Sequence, residues 1–469
     1  MHSQAKMLSL IVVVAALAIF AGCGEGDQAH DSPLSHGPIV LTSTQTAASI
    51  WLRTDQPADV RLTWTANNES AGTATLVTAT AQDDDLTGIF ELGRLRADTC
   101  YSYEVEVDGV VVPDSDDQRF CTLPSIVDSL KIGLLGDLDK RLWIEAPAIA
   151  ELADRQPDIL LLVGDWDHRD PEDVDELWQM HRENRDPNKL AAQPLIDHFF
   201  NKVPIIYTWD DHDYGGNNSD RLSRLREDAL RAYDDYWPAN GRFEGQAGIW
   251  HKYSVGDLAD VIMLDTRSQR DPDTYLDPRF VPDRTEGSNR GKLRDDPARS
   301  MLDGTAQPEG MSTGQKAWLK ESLLTSPALW KVVVSSVTWN GTTVKDDAWW
   351  DFRAERNELV SFIQSNGITG VIFVTADLHT GGGIDDGTNA NFPEVTIPSA
   401  NLNQDEAGSP SCAIHPTPDS TLRTSCGDWS HGLYEHGSGY GLITLDRTQA
   451  TIETVNLLGG TASLTLPRP

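Results

Sequence analysis

Four stretches of this chain set acids and histidines directly behind apolar runs. They are "LLGDLDKR" with Asp137 and Asp139, "LLVGDWDHRD" with Asp165, Asp167 and His168, "TWDDHDYGGNN" with Asp210, Asp211, His212, Asp213, Asn217 and Asn218, and "FVTADLHTGG" with Asp377 and His379. An aspartate after a strand is often only a helix cap. Four such ends at one sheet edge, however, gather carboxylates whose desolvation and repulsion a metal ion removes. Mixed Asp, Asn and His donors suit hard or borderline metals: Ca, Mn, Zn or Fe. Glycines beside the acids (Gly136, Gly164, and Gly381 to Gly383) let the backbone turn sharply and a ligand come close. Arg267, straight after the run "ADVIMLD", has the planar fork that suits a phosphate contact. Simpler roles stand beside these. His168 can sit in a surface ion-pair cluster with Asp167, Arg169 and Asp170, and Arg267 can pair with a core-edge carboxylate.

Elements that place strand ends together are legible from Ser125 onward. "SLKIGLLGD", "PDILLLVGD", "VPIIYTWDD", "ADVIMLDTR", "WKVVVSSVTW" and "GVIFVTADLH" read as strands with continuous apolar character. "RLWIEAPAIAELADRQ", "STGQKAWLKESLLTS" and "FRAERNELVSFIQSNG" read as helices between them. Buried strands alternating with helices mean a sheet covered on both faces, with its site at the strand ends. Ahead of this, Gly37 to Pro124 is a series of short alternating runs separated by turn residues, which predicts a β-sandwich of immunoglobulin size over 37–125. Ser268 to Met311 is polar, rich in Pro and Gly and without periodicity, which predicts a lid or substrate-facing insertion. Asn401 to Gly437 is similar.

The N-terminus has Lys6, an apolar run from Leu8 to Ala21 and small residues before Cys23, the outline of a secretory signal too short for a convincing span. "FAGC" is close to a bacterial lipobox, so residues 1–23 are expected to direct export and to leave a lipid on Cys23 as the membrane contact. A plain signal peptide and an uncleaved anchor are the alternatives. Residues 24–36 read as a polar tether. Cys100, Cys121, Cys412 and Cys426 then fall as two local pairs, expected as disulfides in an oxidising compartment, although sequence alone permits three pairings. The formal net charge of −34 argues against nucleic acid as the main partner. Oligomeric state is not legible.

The ordered motifs "LLGD", "VGDWDH", "WDDHDYGGNN", "MLDTRSQRD", "STGQKAWLKESL" and "ADLH" resemble the PhoD-like alkaline phosphatases and phosphodiesterases of the calcineurin-like metallophosphoesterase superfamily. The resemblance covers Lys131 to the C-terminus, and the β-rich segment ahead looks like that family's N-terminal module. It implies an Ig- or fibronectin-III-like sandwich followed by a four-layer αββα catalytic domain over 126–469. It also implies hydrolysis of phosphate mono- or diesters by a metal-activated hydroxide. Asp165 would bridge two metals, Asp211 would bind the second with Asn218 or Asn217 nearby, and Asp137, Asp139, His168, Asp377 and His379 would complete the shell. His212 would protonate the leaving group. Two departures touch the metal: Asp137 stands where the family usually has cysteine, and His168 where it usually has tyrosine. Cys and Tyr favour ferric iron, so the expectation is two or more divalent ions, Ca, Zn or Mn rather than Fe. A purple acid phosphatase or nucleotidase is the neighbouring alternative, disfavoured by "DDHD" and "LDTR". A catalytically silent surface lipoprotein is the alternative of a different class.

Overall fold

The structure is a computed structural model; it describes residues 33–67, 74–113, 118–138, 143–237, 247–272, 295–304, 314–345, 347–401, 414–416, 422–424 and 426–469. The expected signal, lipobox and most of the tether, Asp139, Cys412 and most of the 268–311 insertion lie outside these residues. No described helix is long and apolar enough to cross a membrane.

The chain opens with β1 (Leu34–Ser43), β2 (Ala48–Thr54), β3 (Asp59–Ala66), β4 (Ala74–Ala79), β5 (Thr87–Leu92), β6 (Cys100–Val107), β7 (Val110–Val111) and β8 (Arg119–Cys121). They form two antiparallel sheets, β1-β2-β5 and β4-β3-β6-β7, with β8 beside β6. Alternation does the folding here: Tyr101, Tyr103, Val105 and Val107 of β6 point inward and meet Val60 and Leu62 of β3 and Ile50, Leu52, Phe90 and Leu92 of the facing sheet. β1 starts at Leu34, so the last expected tether residues, Leu34 to His36, belong to the sheet. Cys100 and Cys121 are paired across β6 and β8. Cys426 is also disulfide-bonded.

The rest of the chain supplies β9 (Ser129–Leu135), β10 (Ile159–Val163), β11 (Ile205–Thr208), β12 (His251–Val255), β13 (Ala259–Met263), β14 (Trp330–Ser335), β15 (Val371–Thr375), β16 (Gly383–Asp386) and β17 (Pro393–Thr396). A short hairpin, β18 (Ile414–Pro416) and β19 (Leu422–Thr424), precedes β20 (Gly439–Asp446), β21 (Gln449–Asn456) and β22 (Gly460–Pro467). Two six-stranded mixed sheets result, in the orders β11-β10-β9-β20-β21-β22 and β12-β13-β14-β15-β17-β16. Leu130, Ile132 and Leu134 of β9 share one core with Val261, Met263, Val332 and Val374 of the other sheet. The outer face of the first sheet, including Leu160, Leu162 and Tyr207, packs on helices Pro147–Asp154, Gln193–His198 and Arg226–Tyr236. Ile262, Val333 and Phe373 on the outer face of the second pack on helices Gln315–Thr325 and Arg353–Ser365. Burial on both faces explains the continuously apolar strands.

The sandwich is docked on the two-sheet portion rather than merely tethered to it. Trp51 is fully buried, donates its indole N–H to the Asp235 carbonyl at 2.9 Å, and lies within the core that holds Tyr236 and Trp237. Asp85 accepts from Arg53 at 3.1 Å, and from Arg182 and the Tyr236 hydroxyl at 2.5 Å each. Truncating Trp51 removes apolar burial and a hydrogen bond together. Trp51→Ala should lower unfolding stability by about 3–5 kcal/mol in a denaturant titration; a change under about 1 kcal/mol would show that the sandwich does not share this core.

Candidate metal centre

The C-terminal ends of the strands from both sheets converge. β9, β10, β11, β13 and β15 are each followed two residues later by an aspartate: Asp137, Asp165, Asp210, Asp265 and Asp377. Cross-sheet bonds fix this edge. The Thr208 hydroxyl donates to the Leu264 carbonyl at 2.8 Å, and the Ser336 hydroxyl donates to Asp210 Oδ1 at 2.6 Å. Gly164 has φ +75°, and a Cβ there would sit 2.5 Å from that of Asp210, so glycine is what lets β10 and β11 end side by side. Asp137, Asp165, Asp377 and His379 all hold left-handed backbone, at φ 51°, 46°, 57° and 52°. Each such residue costs about 1–2 kcal/mol, strain that concentrates at working sites.

Hydrogen-bond saturation separates these aspartates. Asp265 is fully satisfied within the fold, accepting from Trp209, Ile249, Arg267 and Ser268 at 2.9–3.2 Å. Asp213 likewise accepts from the Trp166 and Asp210 backbones at 2.9 and 3.1 Å and caps the short helix Asp211–Tyr214. Neither oxygen of Asp137 has a hydrogen-bond partner among the described residues, although the side chain is buried. Burial, then the Asp165 carboxylate, pushes Asp137 up to about 8. An orphaned buried carboxylate beside a second one is the donor set a cation satisfies.

Among the described residues, three groups of side chains bring ligand atoms within 4.8 Å of one another: Asp165 with His168 and His379, Asp165 with Asp211 and His212, and Asp165 with Asp210, Asp211 and Asp377. Asp165 is common to all three, as a shared ligand would be. His168 is buried: its Nδ1 lies 2.6 Å from the Leu138 carbonyl, and its Nε2 is 3.0 Å from Asp165 and 3.3 Å from His379 Nε2. The ion pairs of this stretch are therefore made by its neighbours, with part-buried Arg169 on the buried Asp167 and on Glu183, while His168 turns inward. Partial desolvation at the edge of the cluster, then the neighbouring His168, lowers His379 below the usual imidazole range. Both imidazoles are thus set among carboxylates in positions suited to metal ligation.

Asp211 Oδ2 accepts the Asn218 backbone N–H at 2.6 Å, so Asn218 enters the centre through its main chain. The backbone N–H of His212 points to Asp165 and Asp211, at 3.3 and 3.0 Å, and its Nδ1 lies 2.8 Å from Asp170. Arg267 is fully buried. It is bonded to both oxygens of Asp210, lies 3.1 Å from Asp377, and has Asp347 at 3.5 Å and Asp211 at 3.7 Å. That placement favours a counter-charge role over the direct phosphate contact expected from its strand-end position. Burial opposes ionisation of Asp211, yet Arg267 and His212 outweigh it and keep Asp211 well below the usual carboxylate range.

Some members of the cluster carried no strand-end signal. Lys345 donates to the Asp377 carbonyl, lies 2.5 Å from Asp377 Oδ2 and 3.5 Å from Asp347, and comes from a polar loop ten residues beyond β14. Asp170, the partner of His212, reads in sequence as one more surface acid. The described parts of the 268–311 insertion reach into the core: Ser268, Arg270, Met301 and Leu302 are fully buried, and Arg270 donates to the carbonyls of Asn218, Ser219 and Asp347.

A family model described as PhoD-like phosphatase matches residues 147–453, more than half of the chain. The chain belongs to the PhoD-like phosphatase family. A domain of unknown function matches residues 31–125, the sandwich. Alkaline phosphatase D of Bacillus subtilis (strain 168) is 26% identical over 200 residues, covering 38% of this chain and 31% of that protein. The chain thus spans about a third of that relative's length. A solved structure of PhoD superposes with a TM-score of 0.65 at 16% identity, over 91% of this chain and 88% of that one. Purple acid phosphatase PPD1 from yellow lupin seeds superposes with a TM-score of 0.58 at 10% identity, over 93% and 75%. At these identities the two structures establish the fold, which this family therefore shares with a purple acid phosphatase.

The unpartnered Asp137 gives the metal-free centre a pH signature. Its value in the fold lies above the ordinary 3.8, so its contribution to stability is whole below 3.8 and is lost as pH rises through about 8. Chelated protein should lose unfolding free energy across that window, and Asp137→Asn should flatten the loss. Identical pH slopes for wild type and variant in urea titrations would remove Asp137 from the buried cluster.

Proposed function

We propose that the chain is an exported, metal-dependent phosphoesterase that hydrolyses phosphate mono- or diesters. One observation carries this reading within the family: Asp165 is shared by every metal-capable group, beside a carboxylate, Asp137, whose buried oxygens are unpartnered. In this reading Asp137, Asp165, His168, Asp211, Asp377 and His379 hold two or more divalent ions, with the Asn218 backbone fixing Asp211. The Asn218 side chain is the further ligand of this reading, carried beside the carboxylate that its main-chain N–H supports. Carboxylate and imidazole donors favour Zn, Mn or Ca over ferric iron. Such ions supply polarisation of phosphate oxygens and the lowered water pKa that hydrolysis near neutrality requires.

The protein's own residues do the rest. The Asp170 carboxylate stands 2.8 Å from His212 Nδ1 as a nearby negative charge, and the imidazole is the group that can protonate a departing alkoxide. The backbone N–H of His212, aimed at Asp165 and Asp211, keeps that ring beside the reacting phosphate. Arg267 offsets the charge of Asp210 and Asp377 so that the carboxylates keep their places before substrate arrives.

Helices on the outer faces of both sheets support assignment to the four-layer αββα class, and the paired antiparallel sheets ahead of it support an Ig- or fibronectin-III-like module. Export, with a lipid on Cys23, draws its support from the N-terminal sequence and from the Cys100–Cys121 disulfide.

Metal-reconstituted protein should hydrolyse p-nitrophenyl phosphate or its bis ester, and a chelator should abolish the turnover. His212→Ala should keep the metal and lose about 10²–10⁴-fold in kcat, whereas Asp165→Asn should lose metal and turnover together. Metal-loaded wild type inert on both esters would overturn the hydrolase reading in favour of a silent binding module.

A further inference from the structure

The side chains of the centre differ in what they show to solvent. Asp137, Asp165, Asp210, Asp211 and Arg267 are all nearly or wholly buried. His379 is 37% exposed, Lys345 30% and His212 13%. A substrate arriving from outside meets these three, and Lys345 is the cation among them. We propose, resting on the phosphoesterase reading, that Lys345 binds the substrate phosphate, the role that the burial of Arg267 denies to the arginine.

The ammonium is attached to the metal-capable cluster itself. Its Nζ lies 2.5 Å from Asp377 Oδ2, while His379 Nε2 stands 3.7 Å from the other oxygen of the same carboxylate. Asp377 in turn shares a group with Asp165, Asp210 and Asp211. Lys345 thus stands at the rim of the centre, with His379 across the same carboxylate. An ammonium has donors in several directions, and the bonds to the Asp377 carbonyl and carboxylate orient Lys345 without closing it off from solvent.

Its loop is braced, as a residue that recognises substrate must be. The Thr343 hydroxyl donates to the Cys426 carbonyl at 3.1 Å, and the Thr342 hydroxyl accepts the Asp428 N–H at 2.8 Å. Asn340 donates to the Asp428 carbonyl at 2.8 Å. At Gly427 a Cβ would meet Thr342 and Thr343 within 2.8 Å, so the two loops fit only with glycine between them. The disulfide-bonded Cys426 therefore anchors the segment that carries Lys345. The competing role for Lys345 is a plain counter-charge for Asp377 and Asp347.

Lys345→Met and Lys345→Arg, compared with wild type, separate these roles when metal content and inhibition by inorganic phosphate are both measured on protein saturated with zinc. The expected result for Lys345→Met is unchanged metal content and an inhibition constant for phosphate about 10- to 100-fold weaker, the loss of one charge-assisted hydrogen bond. Lys345→Arg should retain most of the affinity. Phosphate affinity equal to wild type in Lys345→Met, or lost only in step with metal, would overturn the inference while leaving the hydrolase reading intact. Should Lys345→Met fail to fold, Lys345→Gln takes its place with the same expectation. Wild type that neither hydrolyses ester nor binds phosphate calorimetrically would overturn the underlying reading and this inference with it.

Discussion

Buried negative charge is the constraint on which this molecule is organised. Asp137, Asp165, Asp210, Asp211 and Asp377 lie together with almost no exposure, opposed within the protein mainly by Arg267 and Lys345. An uncompensated buried carboxylate costs several kcal/mol even after relaxation. Burial and then the Asp165 carboxylate push Asp137 up to about 8, and burial raises Asp210 to about 6 even against the pull of Arg267, which is how a protein answers charge it cannot solvate. Binding of divalent cations removes the same penalty without protonation, and the orphaned oxygens of Asp137 point to that solution.

The surrounding architecture serves this gathering. Parallel strands buried on both faces end at one level, left-handed turns swing Asp137, Asp165 and Asp377 off their strand ends, and hydroxyl bonds cross between the sheets. Helices and sandwich then supply the apolar burial that holds a strained, highly charged edge in place. The Trp51 anchor gives the sandwich a share in the same core as the first sheet's outer face. Within this frame the fate of each aspartate follows from its donors: Asp265 and Asp213 are saturated by backbone and indole N–H groups, while Asp137 and Asp165 face each other.

Much of this was legible in the sequence, for physical reasons. Continuous apolar runs announce buried strands, and acids just past four of them announce a shared edge, so the strand ends that carry Asp137, Asp165, Asp210 and Asp377 could be named from the sequence pattern, while the choice of Asp211 and the roles of His212 and His379 were implied by the family resemblance. What spacing could not separate was ligand from scaffold. Asp265 has the same strand-end signal as Asp137, yet only the fold reveals that the Trp209 indole, three backbone N–H groups and the Ser268 hydroxyl consume it. Arg267 looked available because its position follows a strand; its burial depends on Asp210, far away in sequence. Lys345 was invisible, since a lysine in a polar loop has no periodicity, and it reaches the site through tertiary contacts with Asp377. The C-terminal strands β20 to β22 join the first sheet through β20, which pairs with β9, and β21 and β22 then add in turn as antiparallel neighbours.

The most direct measurement of the central claim is the metal content of the purified mature protein by plasma mass spectrometry, before any metal is added. The account predicts two or more equivalents of a divalent metal other than iron, lost in Asp165→Asn. A chain that carries no metal and takes up none on titration would contradict it. The carboxylates would then have to be held by Arg267, Lys345 and protons alone.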